Sequence, residues 1–270
     1  MNRAFLLIVV GGCASTPPAG APDAGVPDFG ANGTVVVPPD GHRPNFTCAT
    51  NPAPSIADDP LTLAGTVETI AMNGTLPPVD AAEVALFVAG QPTVLSRMQS
   101  DAAGAFSTGA LVSGGHPLHA YLKATKPSFR TTFFYPQYPF AMSAVPQLVP
   151  MISDALFATV TGMLGTTQHD GTNGALLVMV ADCDGTPLTG SAIAVTHGNA
   201  PAGHIYDLGT IVPGAAGTFL VLDVPDGKAR VTATWGSAPF PEHDVIVRAK
   251  DPDCPSARGT VTATTFMPGL

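Results

Sequence analysis

Glycine and proline constrain this chain more than any other feature, with 29 glycines and 28 prolines among 270 residues. Both residue types interrupt helices and favour turns, so a fold built on long helices is disfavoured. Between the turns, apolar and polar side chains alternate, as where Leu61 and Leu63 flank Thr62. Alternation with a period of two is typical of half-buried strands. The sequence therefore predicts an all-β protein of short strands.

Charge is scarce in this chain, because Asp, Glu, Lys and Arg make up 11% of residues and the net charge is -9. Phosphate backbones and anionic membrane surfaces both select for clusters of basic side chains. We therefore expect no nucleic-acid partner. Apolar residues make up 45% of the chain, which is enough for a substantial core.

The N-terminus has the parts of an export signal. Arg3 precedes the apolar run 4–10, which is too short to span a bilayer and is followed by small residues. The sequence Val10-Gly11-Gly12-Cys13 resembles the lipobox of bacterial lipoproteins, a resemblance that implies lipidation of Cys13. With Ala14 next, it also implies the outer membrane or cell surface, with the lipid anchor as the membrane contact. The alternative is ordinary secretion with a coincidental cysteine.

The chain divides into five segments by composition. No apolar periodicity follows Cys13 until Leu61, and closely spaced prolines predict a disordered spacer there. Helical spacing of apolar residues predicts one helix over Pro150–Leu164, between two strand-rich blocks. The predicted segments are a signal peptide (1–12), a disordered tether (13–59), a β-sandwich domain (60–140), a linker with the helix (141–168) and a second β-sandwich domain (169–270).

Both strand-rich blocks carry a family resemblance. The first has Gly65-Thr66-Val67 and Ser100-Asp101-Ala102-Ala103-Gly104-Ala105-Phe106, and the second has Asp182-Cys183-Asp184-Gly185-Thr186-Pro187-Leu188 and Val224-Pro225-Asp226-Gly227. These runs resemble carboxypeptidase regulatory-like domains. The resemblance implies two prealbumin-like Greek-key β-sandwich domains. It also implies non-catalytic binding modules or spacers, and it supplies no catalytic residues.

The sequence offers no recognisable catalytic or cofactor site. The histidines His116 and His119 would face opposite sides of a strand, and His197 and His204 lack the His-x-His spacing of a dioxygenase. Asp182 begins a run like a calcium loop, but the loop pattern is not continued, so a tight turn is predicted. No metal, cofactor or enzymatic activity is expected.

Three cysteines, Cys48, Cys183 and Cys254, remain if Cys13 carries lipid. The oxidising compartments that exported proteins enter permit disulfides. Cys183 lies in a predicted turn and Cys254 in the loop before the last strand, so a Cys183–Cys254 pair is predicted. Cys48 would then be free, or would join the tether to a domain.

A dense aromatic run includes Phe134, Tyr135 and Tyr138. One interpretation is a binding surface on which sugar rings or a partner protein stack. The other, which the strand context favours, is that these rings fill the core.

Three functional hypotheses follow. The first is a non-enzymatic, lipid-anchored surface protein acting as a structural, adhesion or scaffold module. The second is a lipoprotein that binds envelope polysaccharide or a surface protein through the aromatic run. The third is a metalloenzyme, which would require at least three ligand side chains around one point.

Overall fold

The computed structural model describes residues 44–143, 145–253 and 259–269. Its strands confirm the all-β class, with one α-helix, α1 (Asp154–Met163), and 3-10 turns at Thr47–Thr50 and Leu208–Thr210. The strands are β1 (Leu61–Thr69), β2 (Glu83–Val88), β3 (Val94–Gln99), β4 (Ala105–Leu111), β5 (Ala120–Thr125), β6 (Thr132–Phe134), β7 (Gln147–Met151), β8 (Asn173–Val180), β9 (Ser191–His197), β10 (Ala200–Pro201), β11 (His204–Asp207), β12 (Thr218–Pro225), β13 (Gly227–Trp235), β14 (Ala238–Pro239), β15 (His243–Val247) and β16 (Val261–Phe266).

A central sheet of eight strands runs through the molecule in the order β11-β12-β8-β16-β6-β5-β2-β3. The last strand, β16, lies parallel to both β8 and β6 and so joins the strands of the two predicted domains. Each predicted block contributes four strands to this sheet. The central sheet is therefore continuous between the two predicted domains. The domain boundaries 60–140 and 169–270 remain predictions.

A three-stranded sheet, in the order β4-β1-β7, covers one face of the central sheet over its β3–β6 half. Strand β7 lies parallel to β1 and forms the outer edge. Gly65 permits this close pairing, because a Cβ there would lie 2.1 Å from the carbonyl oxygen of Gln147. The core between the layers includes the fully buried Leu63, Leu86 and Leu122.

A five-stranded sheet, built from β9, β10, β13, β14 and β15, covers the opposite face over the other half of the central sheet. Alternation along β8 sends Leu176 and Val178 into this second core, while Leu177 faces the first core. Each half of the central sheet is therefore one layer of a sandwich, and the two sandwiches use opposite faces.

The predicted helix exists but begins four residues later than Pro150, which belongs to β7. Ser153 caps it, since its hydroxyl accepts a hydrogen bond of 3.1 Å from the backbone N–H of Leu156. Phe157 packs into the first core, and the Arg130 guanidinium lies 3.6 Å from its ring centroid. No helix within the described residues is long and apolar enough to cross a membrane.

The predicted disordered tether is wrong for residues 44–59. The backbone N–H of Ala57 donates to the carbonyl of Gly115 at 3.0 Å, and that of Asp58 to the carbonyl of Ala141 at 2.8 Å. Ala57 is also buried. These contacts attach the segment to the first sandwich. The partners are distant in sequence, so the local composition did not reveal them. The predicted signal peptide and the part of the predicted tether before Pro44 lie outside the described residues.

Candidate functional site: a groove beside strand β7

The disulfide joins Cys48 to Cys183, so the predicted Cys183–Cys254 pair is wrong. The Cα atoms of Cys48 and Cys183 lie 5.7 Å apart, within the usual range for a bridge. Cys48 reaches this position because residues 44–51 lie against the turn that holds Cys183. Cys13 and Cys254 lie outside the described residues.

The turn at Asp182 receives the incoming chain. The buried Asp182 carboxylate accepts backbone hydrogen bonds of 3.0 Å from Asp184 and 2.9 Å from Thr186, which confirms a tight turn. It also accepts one of 3.0 Å from the backbone N–H of Asn45, whose side chain donates to Asp184 at 2.9 Å. The chain is therefore fixed at Asn45 beside this turn.

The aromatic residues proposed for binding do not share one exposed surface. Phe134 is buried in the first core and Tyr135 in the second, because neighbouring strand residues face opposite sides of a sheet. Tyr138 is half-buried. Burial raises the pKa of both tyrosine hydroxyls. Phe134 and Tyr135 are therefore core residues, and of the three only Tyr138 is partly exposed.

Phe134 and Tyr138 nevertheless border an apolar cavity of about 220 Å³ at the beginning of β7. Methionines and prolines form much of its wall, together with Phe140 and Leu148. Gln137 lies in the wall as well, with its side-chain oxygen bound to the N–H of Met267 at 2.8 Å. Its buried Nε2 has no hydrogen-bond partner among the described residues.

A second apolar cavity of about 50 Å³ lies toward the end of β7. Leu148 and Met179 border both cavities, and Pro150 and Leu177 border the second. The two cavities thus follow the outer edge of β7, above the side chains of β8. We call them together the β7 groove, lined by Phe134, Gln137, Tyr138, Phe140, Leu148, Pro150, Leu177 and Met179.

A charged cleft of about 820 Å³ lies on the far side of the central sheet, beside β2, β3 and β5. In its wall, the buried Lys123 ammonium lies 2.6 Å from a carboxylate oxygen of Asp251 and 2.6 Å from one of Asp253. The hydrogen bond from Lys123 lowers the pKa of Asp253, and the charges of Arg97 and Arg248 act in the same direction. Asp251 is 3% exposed, so its charge depends on Lys123 for compensation.

Within the described residues, no group of three or more His, Cys, Asp or Glu side chains could hold a metal ion. His169 instead pairs with the Asp223 carboxylate at 2.9 Å, an exposed contact at the end of β12. His243 is partly buried, with its Nε2 buried and its ring edge-on to Phe266. The described histidines therefore occupy separate places in the fold.

Sequence reasoning did not identify the β7 groove or the Lys123 cluster. The groove depends on β7, which the sequence assigned to the linker and helix. The cluster depends on Asp251, which follows Lys123 by 128 residues. A lysine on an otherwise apolar strand was the available signal, because such a charge needs a partner if it becomes buried.

Comparison with known proteins assigns no family. No family model matches the chain, and no curated protein matches it. The similar solved structures include the shaft pilin SpaA from Lactobacillus rhamnosus GG, at 9% identity over 79% of this chain and 99% of that chain, with a TM-score of 0.23. The major pilin RrgB from Streptococcus pneumoniae matches at 8% identity over 79% of this chain and 49% of that one, with a TM-score of 0.25.

The major pilin subunit BcpA of Bacillus cereus also matches, at 11% identity over 75% of this chain and 98% of that chain, with a TM-score of 0.24. At such TM-scores the superpositions carry no argument about this chain. The fold class therefore rests on the strands and sheets of the structure itself.

Proposed function

We propose that this protein is an exported, non-enzymatic surface protein, anchored by lipid at Cys13, that acts as a structural, adhesion or scaffold module. The observation that carries the proposal is the Cys48–Cys183 disulfide. Disulfides persist in oxidising compartments and are rare in the cytosol. The bridge therefore agrees with the export signal at the N-terminus, which was inferred from different residues.

The architecture suits a spacer and head. The 30 residues between Cys13 and Pro44 are rich in Pro, Gly and Ala and would hold the folded part away from a membrane. The head begins at Asn45, where the disulfide and the Asp182 turn fix the chain to the second sandwich. A module built in this way presents a rigid β-structure at the end of a spacer, as adhesion and scaffold roles require.

Its partner, in this proposal, is an envelope polysaccharide or another surface protein. The structure gives the aromatic alternative less support than the sequence did, because Phe134 and Tyr135 are buried on opposite faces of the sheet. Stacking of sugars on an exposed row of rings is therefore not proposed. Contact through the outer surfaces of the two sandwiches remains the proposed mode.

Anchoring and export are tested in cells of a lipoprotein-producing bacterium. The full-length protein and its Cys13→Ala variant are grown with an alkyne fatty acid and separated into membrane and soluble fractions. We expect labelled wild type in the membrane fraction and unlabelled variant outside it. Cys254→Ala serves as the matched control and should behave as wild type. Equal membrane recovery and labelling of the Cys13→Ala variant would refute the anchor.

The module function is tested by display of the protein on cells. Cells with the intact gene, with a deletion, and with a Cys13→Ala copy are compared for aggregation, attachment to envelope polysaccharide and recovery of cross-linked surface proteins. We expect the deletion and the Cys13→Ala copy to lose the same contacts. If no contact differs among the three strains, the adhesion and scaffold roles fail together.

A further inference from the structure

The outer edge of β7 is an incomplete part of this fold. Within the described residues β7 pairs only with β1, so its other side has no neighbouring strand. Edge strands expose backbone donors and acceptors that readily pair with another extended segment. Beside this edge lies the β7 groove, with Leu177 and Met179 as its apolar floor. The geometry fits an added strand with apolar side chains directed toward β8.

One segment of the chain itself has the required sequence. Gly33-Thr34-Val35-Val36-Val37 combines β-branched residues, which favour strands, and Pro38-Pro39 ends it. It contains five residues, as does β7. It also lacks charge, as the apolar walls of the groove require. The surrounding spacer offers no comparable run of strand-forming residues.

The position of Asn45 brings this segment within reach. Asn45 is fixed to the Asp182 turn, and Gly185 of the same turn borders the larger cavity of the groove. The seven residues that follow Val37, up to Pro44, span at most about 25 Å when extended. A tether this short gives an effective concentration in the millimolar range, so an intramolecular contact is favoured over one between molecules.

We propose that Gly33–Val37 adds to the edge of β7 within the same molecule and fills the β7 groove. In the proposed arrangement its C-terminal end lies near Gly185, at the beginning of β7, and the added strand runs antiparallel to β7. Val35 and Val37 then share one face and enter the two cavities, while Val36 faces away. The unpartnered Nε2 of Gln137 is placed to donate to a carbonyl of the added strand. The inference does not depend on lipidation or on adhesion.

Hydrogen exchange of the purified full-length protein tests this contact. Three proteins are compared: wild type, a Val35→Asp/Val37→Asp variant and the matched Val36→Asp variant. Because these residues precede the described fold, all three proteins should remain folded, and circular dichroism checks this. We expect peptides covering 147–151 to exchange at least about tenfold faster in the double variant than in the wild type. The Val36→Asp variant should retain the wild-type rate.

Two outcomes would overturn the proposal. Equal exchange over 147–151 in all three proteins would mean that the segment does not cover β7. Protection that disappears on dilution, together with a dimer in analytical ultracentrifugation, would mean that the strand comes from a second copy. Protection that is independent of concentration in a monomer, and is lost only in the double variant, supports the intramolecular strand.

Discussion

The two halves of the central sheet present the same face to different surroundings. On the β8–β12 half this face meets the five-stranded sheet, and its side chains are aliphatic or aromatic, such as Leu176 and Phe219. On the β2–β5 half it borders the charged cleft, where Lys123 interrupts the apolar pattern. There Tyr121 stacks on Phe87 at 5.1 Å and on Tyr135 at 5.0 Å between ring centroids.

The difference shows how a sheet face adapts to its cover. Where a second sheet supplies apolar partners, burial of aliphatic side chains provides the stabilisation. On the β2–β5 half, where the described residues contain no second sheet above this face, the stacked rings are buried and a buried ion pair attaches the segment before β16. Lys123 and Asp251 therefore replace, on one half, the sheet-to-sheet packing of the other half.

Removal of the Lys123 ammonium, which lies beside the charged cleft, should have the largest effect on stability. Lys123→Met leaves the Asp251 carboxylate buried without compensation, and we expect a loss of about 3–5 kcal/mol in the free energy of unfolding, measured with urea. Lys228→Met, which removes an exposed ion pair with Asp244, should cost no more than about 1 kcal/mol. Similar losses in the two variants would contradict the assignment of Lys123 as a buried anchor.

Truncation of a core side chain under the five-stranded sheet should have the second largest effect on stability. Leu176→Ala removes a fully buried side chain between the central and five-stranded sheets, and we expect a loss of about 3 kcal/mol from burial and cavity formation. The same change at Leu95, which is 47% exposed on β3, should alter stability by less than about 0.5 kcal/mol. Equal urea midpoints for the two variants would show that the five-stranded sheet does not seal Leu176.

Loss of the disulfide should destabilise the covered half by about 2 kcal/mol, the lower end of the usual range. A Cys48→Ser/Cys183→Ser variant releases the segment that carries Phe46, whose ring lies 5.1 Å from that of Trp235. Tryptophan fluorescence should therefore change along with the thermal midpoint. Reduction of the wild type should reproduce both effects, and a variant unchanged in both would contradict the anchoring role of the bridge.

The smallest expected effect is a dependence on pH through His243. Burial lowers the pKa of its imidazole below 6.5, while the neighbouring Asp244 charge and a hydrogen bond with the Tyr135 backbone oppose the shift. The unfolded chain then binds a proton more readily than the folded one as pH falls through 6.5. Stability contributed by the neutral ring is present above that pH and declines below it, by at most about 1.4 kcal/mol for each pKa unit of difference.

His243→Gln should flatten this part of the pH profile. Thermal midpoints of the wild type and the variant between pH 7 and pH 5 measure the effect. The exposed His169 provides the control, because His169→Gln leaves the buried ring unchanged. Identical slopes for wild type and His243→Gln would indicate that another group titrates in this range.

Local patterns predicted much of the fold. The turns at Asp101–Gly104 and Asp182–Gly185 appear as predicted, with φ of 75° at Gly104 and 77° at Gly185. The predicted strand Ala229–Trp235 corresponds to β13, which begins two residues earlier. These features depend on neighbours in sequence, so alternation and turn residues were sufficient to identify them.

Features that depend on distant residues could not be predicted. Pro150 is acceptable both in the first turn of a helix and on an edge strand, and only pairing with β1 decides between them. The choice of Cys48 as partner for Cys183 likewise depends on how residues 44–51 lie against the second sandwich. The site residues Phe134 and Tyr135 needed the sheet geometry, because the sequence does not show which faces are covered.

The Cys48–Cys183 bridge also determines how the molecule carries mechanical load. A pulling force applied at the N-terminal end passes along residues 44–48 and then crosses the bridge directly into the turn between β8 and β9. The intervening chain, which includes all of β1 to β8, is bypassed and cannot be drawn out while the bridge is intact. Tension on the spacer would therefore extend the C-terminal strands first, and the first sandwich would be shielded from it.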